Sequence, residues 1–87
     1  MNLMDKMYCS LLQIQMTASD VLDTLNADPE QIVLYDGIVQ HMQAATEKAA
    51  DILEEYLDDV KSAKFTRKIA FELRDHIDYY NNHPEEF

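Results

Sequence analysis

Glycine occurs once and proline twice in this chain of 87 residues, which leaves almost nothing for the tight turns that sheet proteins need. The shortage points to long helices. Cysteine is also single, Cys9, and no Cys/His cluster has zinc spacing, so neither a disulfide nor a structural zinc is expected to staple the fold. A lone cysteine fits a reducing compartment. No basic segment followed by an apolar run opens the chain, so a cytoplasmic protein without a signal peptide is expected. The longest purely apolar run is about four residues, Ile32 to Tyr35, against the roughly 20 needed to span a bilayer.

Basic residues are scarce as well: seven Lys and Arg stand against 17 Asp and Glu, a net charge of −10. Nucleic acid and anionic lipid would repel such a chain, and basic proteins would attract it. The hydrophobic content of 47% is too high for a disordered acidic tail. At this length a monomer buries only roughly 60–65% of the surface its unfolded chain exposes. A single domain with a marginal core follows, and a partner or a second copy would add to that core.

The apolar pattern is helical throughout. Met7, Leu11, Ile14, Ala18, Val21 and Leu25 alternate by threes and fours, with a second row at Met4, Tyr8, Leu12 and Leu22. Helix 1, about 3–26, therefore has a stripe wide enough for two neighbours. At Asn26-Ala27-Asp28-Pro29-Glu30-Gln31, Asn26 suits a left-handed cap, Asp28 an N-cap, Pro29 the first helical position, and Gln31 completes a capping box. So short a connection makes an antiparallel hairpin.

Helix 2, about 29–61, carries the seam Ile32, Tyr35, Val39, Met42, Thr46, Ala49, Leu53, Tyr56 and Val60. Gly37 inside it marks either a kink or a close contact, at a cost of about 1 kcal/mol relative to alanine. Ala44, Ala45, Ala49 and Ala50 keep the middle slim enough for another helix to approach. Phe65, Ile69, Leu73, Ile77 and Tyr80 continue an apolar face until Asn81, Asn82 and Pro84. A turn at 61–66, capped by Ser62 or Thr66, gives a third helix over about 65–82. Without it a helix of about 50 residues needs a second chain to cover it. The fold is all-α: an antiparallel helical hairpin or a three-helix bundle with a long central helix, dimerising through helix–helix contacts. No internal repeat stands out.

Charge is uneven along the chain: residues 1–27, 28–61 and 62–87 carry −2, −7 and −1. Glu47, Asp51, Glu54, Glu55 and Asp58 fall at spacings of three and four and form a carboxylate ridge away from the seam, with Asp59 beside it. Successive carboxylates lie roughly 5–6 Å apart along such a helix, near the spacing of phosphates on a nucleic-acid strand. The ridge is thus a candidate surface for a basic partner. Lys61, Lys64, Arg67 and Lys68 form the one basic cluster, placed to complement the C-terminal dipole of helix 2 and to pair with Asp58 or Asp59. Met4, Met7, Tyr8, Leu11 and Leu12 are the candidate dimer or partner contact, since Met and Tyr make adaptable surfaces.

Two acidic pairs, Glu55-x-x-Asp58 and Glu72-x-x-Asp75, have the spacing by which facing helices hold Mg²⁺ through oxygen ligands. In these four residues the chain resembles the all-α nucleotide pyrophosphohydrolases of the MazG type. The resemblance implies a Mg²⁺-dependent hydrolase. His76, four residues after Glu72, does not match the Glu-x-x-His of di-iron bundles and reads as a packing residue. Cys9 has no histidine at helical spacing to activate it.

With no serine triad, glycine-rich phosphate loop, zinc pattern or basic nucleic-acid surface, neither an enzyme nor a cofactor is the leading expectation. That expectation is stoichiometric binding: the acidic helix 2 covers the basic surface of a nucleic-acid-handling or toxin protein, as viral anti-defence inhibitors, anti-CRISPR proteins and antitoxins do. A self-assembling structural or adaptor module is the alternative, and the MazG-like hydrolase the third.

Overall fold

The computed structural model describes residues 2–87 as a three-helix bundle, 49 Å long and 19 Å across. Helix α1 spans Leu3–Ala27, α2 spans Ile32–Glu55 and α3 spans Val60–Asn82, with single 3₁₀ turns at Pro29–Gln31 and Pro84–Glu86. No helix is long and apolar enough to cross a membrane among the described residues. Contacts at three levels run α1 parallel to α3: Tyr8 meets Asp59, Gln15 meets Thr66, and Asn26 meets His76. Helix α2 returns antiparallel between them.

The ends are set by local chemistry. Asn2 is extended and its Oδ1 accepts the Asp5 N–H at 2.9 Å, a side-chain cap for α1. At the other end Asn26 stays helical, and Asp28 closes α1 through its N–H to the Thr24 carbonyl at 2.9 Å. The expected capping box does not form. Pro29–Gln31 instead makes a 3₁₀ turn on the Asp28 carbonyl, so α2 begins at Ile32 rather than 29. The helix bends at Tyr35 (φ −123°, ψ 15°), two residues before Gly37, and a side chain at Gly37 would meet nothing within 4 Å. The glycine marks neither the kink itself nor a close approach.

Helix α2 also stops six residues earlier than the pattern suggests, at Glu55 instead of 61, and α3 starts at Val60 instead of 65. The turn lies at 56–59, not 61–66. Asp58 takes the left-handed conformation (φ 52°), one of the few non-glycine residues that tolerates it. The Asp59 N–H returns to the Leu53 carbonyl at 2.9 Å, and its carboxylate accepts the Ser62 N–H at 3.0 Å. One Asp supplies the turn and the next caps α3. Ser62 and Thr66 are not caps. The Thr66 hydroxyl donates to the Ser62 carbonyl at 2.7 Å and accepts from Gln15 at 2.7 Å.

Two apolar clusters fill the bundle. One gathers Ala18, Leu22, Leu25, Ile32, Val39, Ile69, Leu73 and Ile77, with Tyr80 and Phe87 over it. The other gathers Leu11, Ala49, Leu53 and Ala63 near the α2–α3 turn. Seam positions Tyr35, Tyr56, Val60 and Phe65 lie outside both and are exposed. Of the four alanines in α2, Ala49 and Ala50 are buried at the helix crossing while Ala44 and Ala45 face out.

Folding exposes an order in the α2/α3 hairpin that is faint in the sequence. The string Thr46-Glu-Lys-Ala-Ala50-Asp-Ile-Leu53-Glu54 recurs twenty residues on as Thr66-Arg-Lys-Ile-Ala70-Phe-Glu-Leu73-Arg74. Thr, Ala and Leu of both copies are fully buried. Glu47 pairs with Arg74 at 2.7 Å and Glu54 with Arg67 at 2.9 Å, so the two strings are related by an approximate two-fold axis midway, near Ala50 and Ala70. Small residues at that midpoint let the backbones approach, and Thr46 and Thr66 satisfy their hydroxyls on carbonyls four residues back.

This crossing has no room for a larger side chain. Ala50→Leu should cost about 1–3 kcal/mol in urea unfolding, whereas Ala44→Leu, on the exposed face of the same helix, should stay within about 0.5 kcal/mol.

Candidate functional site

The expected acidic ridge does not face solvent as a unit. Glu47 pairs with Arg74, while Arg67 holds Asp51 and Glu54, each at 2.9 Å. These carboxylates flank the α2/α3 seam instead of lying opposite it, and the hydrogen bonds of Asp51 and Glu54 raise the Arg67 pKa above its ordinary value. Glu55 stays at the exposed end of α2, Asp58 forms the turn, and Asp59 is the α3 cap. Of the basic cluster only Arg67 is paired. Lys61, Lys64 and Lys68 make no ion pair among the described residues, and none of the four pairs with Asp58 or Asp59, although the Lys61 charge lies near enough to help lower the Asp59 pKa.

The candidate contact residues of α1 are split by burial. Leu11 belongs to the core, Tyr8 and Leu12 are half-buried, and Met4 and Met7 are exposed. Tyr8 reaches across to α3 and donates its hydroxyl to the Asp59 carboxylate. That bond, together with the Ser62 amide, holds Asp59 below its ordinary value of 3.8, and it raises Tyr8 above its ordinary 10.0.

The two acidic pairs that resemble a MazG-type Mg²⁺ site are not brought together. Glu55 and Asp58 lie at the α2–α3 turn, whereas Glu72 is twelve residues along α3 from Val60, about 18 Å of helix. No group of three or more metal-binding side chains converges among the described residues. His76 bonds Asn26 at 2.8 Å, a tie between α3 and α1, and Cys9 is exposed on α1.

Up-down-up topology redistributes the charge. Residues 20–36 and 72–87 gather at one end of the bundle, the end that holds the His76–Asn26 bond. They carry ten carboxylates against Arg74 alone, a net of −9, while the rest of the chain carries seven against six, a net of −1. Within this acidic end Asn26, Pro29, Glu72, Asp75, His76 and Tyr79 line an open concavity of about 540 Å³. Tyr79 stacks on His83 at 4.3 Å, and its hydroxyl is pushed up by its hydrogen bond to Glu86. Charge counted along α2 alone omits Arg67 and Arg74, which α3 brings alongside its carboxylates.

A second surface has the opposite character. Between α1 and α2 three concavities of about 620, 210 and 500 Å³ join end to end, sharing Ser10, Ile38 and Met42. None of the residues lining them is Asp or Glu, although nearly one residue in five of the chain is. Leu3, Met7, Ile14 and Val21 of α1 face Ile38, Met42 and Ile52 of α2 across it. Ile38 is 63% exposed, which a core position would not be.

The chain is therefore an acidic three-helix bundle with one strongly anionic end and one carboxylate-free apolar groove. No protein-family model matches it, nor does any curated protein or solved structure.

The Tyr8–Asp59 contact sets a pH window. Asp59 is depressed, so its stabilisation is full above 3.8 and lost as pH falls through its lowered folded value. Tyr8 is raised, so its share holds below 10.0 and is lost as pH rises through its raised folded value. Thermal melts of wild type and Tyr8→Phe should differ most between these limits and converge in acid.

Proposed function

We propose that this protein acts by stoichiometric binding to a basic protein, and that the acidic end of the bundle makes the contact. The observation that carries this reading is the net charge of −9 gathered on residues 20–36 and 72–87, against −1 on the rest. A field concentrated at one end of a rod 49 Å long steers a basic surface to that end and speeds encounter. The concavity there combines Glu72 and Asp75 with the half-exposed Tyr79 ring, the chemistry that takes a Lys or Arg head group by ion pairing and cation–π contact. Leu34 of the same end is 78% exposed and supplies apolar area beside the charges. A partner whose basic surface normally handles nucleic acid would be blocked by this occupation, as an inhibitor or antitoxin blocks its target.

This reading keeps the expected partner and moves the contact. Glu47, Asp51 and Glu54 serve the α2/α3 hairpin, so they are a poorer surface than Glu30, Glu72 and Asp75, which make no ion pair among the described residues. The self-assembling module is a second reading, favoured by the carboxylate-free groove between α1 and α2.

Fluorescence anisotropy with labelled oligo-arginine separates the two acidic surfaces. The triple variant Glu30→Gln, Glu72→Gln, Asp75→Asn should bind about tenfold more weakly than wild type, and salt should weaken the wild-type complex. The variant Glu47→Gln, Asp51→Asn, Glu54→Gln should bind as wild type does. Equal loss in both, or loss only in the second, would return the contact to helix 2.

A further inference from the structure

We infer that the α1/α2 groove is the contact between two copies of this chain, packed antiparallel about a two-fold axis near Gln13 and Ile14. This goes beyond the acidic-end reading and rests on other residues.

Charge selects the face. Two molecules of charge −10 repel over most of their surfaces, and the groove is an extended region whose lining has no carboxylate. Depletion of charge at an apolar centre is also how protein interfaces differ from the remaining surface. The extent is sufficient. From Leu3 to Thr24 the groove follows α1 for about 32 Å, and the bundle is 19 Å across. The projected face is on the order of 600 Å² before side-chain relief, near the roughly 800 Å² per partner of a standard interface.

Sequence spacing then selects the orientation. Met7, Ile14 and Val21 recur at intervals of seven along the groove side of α1, so an antiparallel copy sets Ile14 against Ile14 and Met7 against Val21. On the flanking row Lys6 and Asp20 lie seven residues either side of Gln13. Antiparallel packing sets this row against its own copy and brings Lys6 of each chain to Asp20 of the other, twice per dimer, whereas parallel packing leaves the two rows on opposite flanks of the contact and forms neither pair. Neither residue has an ion-pair partner within its own chain among the described residues. The uneven ends of the bundle act in the same sense, because antiparallel packing separates the two ends of charge −9. A contact that is self-complementary in this way closes as an isologous dimer and does not propagate.

Sedimentation equilibrium of the full chain tests this, with circular dichroism to follow helicity. Wild type should be a dimer. Lys6→Glu and Asp20→Lys should each weaken it by about tenfold, and the double variant Lys6→Glu/Asp20→Lys should recover most of the wild-type affinity. Ile14→Arg should give a monomer; since Ile14 also packs on the Leu11 cluster, the charge-swap series decides the matter if that variant loses helicity. A wild-type monomer up to millimolar concentration, a dimer indifferent to both single changes, or a double variant weaker than either single one would overturn the inference. None of these outcomes touches Glu30, Glu72 or Asp75, so the acidic-end reading stands or falls separately.

Discussion

The close approach of α2 and α3 around Ala50 and Ala70 is the constraint on which the rest of the bundle depends. Only small side chains at the midpoint permit it, and once it forms, Leu53 and Leu73 are fully enclosed on either side. A chain of 87 residues has little apolar surface to spare, so the density of this one crossing offsets the thinness of the remaining core. Helix α1 lies on the finished hairpin. It is tied by Tyr8 at one end, Gln15 in the middle and Asn26 at the other, each polar link reaching α3.

That dependence explains the two unlike surfaces. Helix α3 takes the polar links of α1, and along the junction of α1 with α2 an apolar row is left that the hairpin does not fully cover. Up-down-up topology, in turn, stacks the C-terminal part of α1, the start of α2 and the end of α3 at one pole. Three stretches of modest negative charge become one concentrated field there.

Much of the fold was legible in the sequence. The α1–α2 boundary was visible to within a few residues because Asp28-Pro29 is a strong local signal, and the seams of α1 and α2 named most of the core. The α2–α3 turn was not, since Tyr56-Leu57-Asp58-Asp59 contains neither glycine nor proline and continues the apolar spacing. Its cause is a left-handed Asp and an Asp cap, both compatible with a helix when read along the chain alone. The ion pairing of the candidate acidic ridge was hidden for a related reason. Spacing identifies which carboxylates share a helix face, but Arg67 and Arg74 neutralise part of that face from another helix, and only the three-dimensional arrangement brings them there.

The exchanged signs within the repeated string also limit what these helices can pair with. An α2 placed antiparallel against another α2 in the same register would oppose Glu47 with Glu54, and an α3 against another α3 would oppose Arg67 with Arg74. Each helix is thus a poor match for itself and a good match for the other. During synthesis or at high concentration, when hairpins from different chains can trade elements, this pattern disfavours like-with-like exchange and keeps the small-residue crossing between unlike helices.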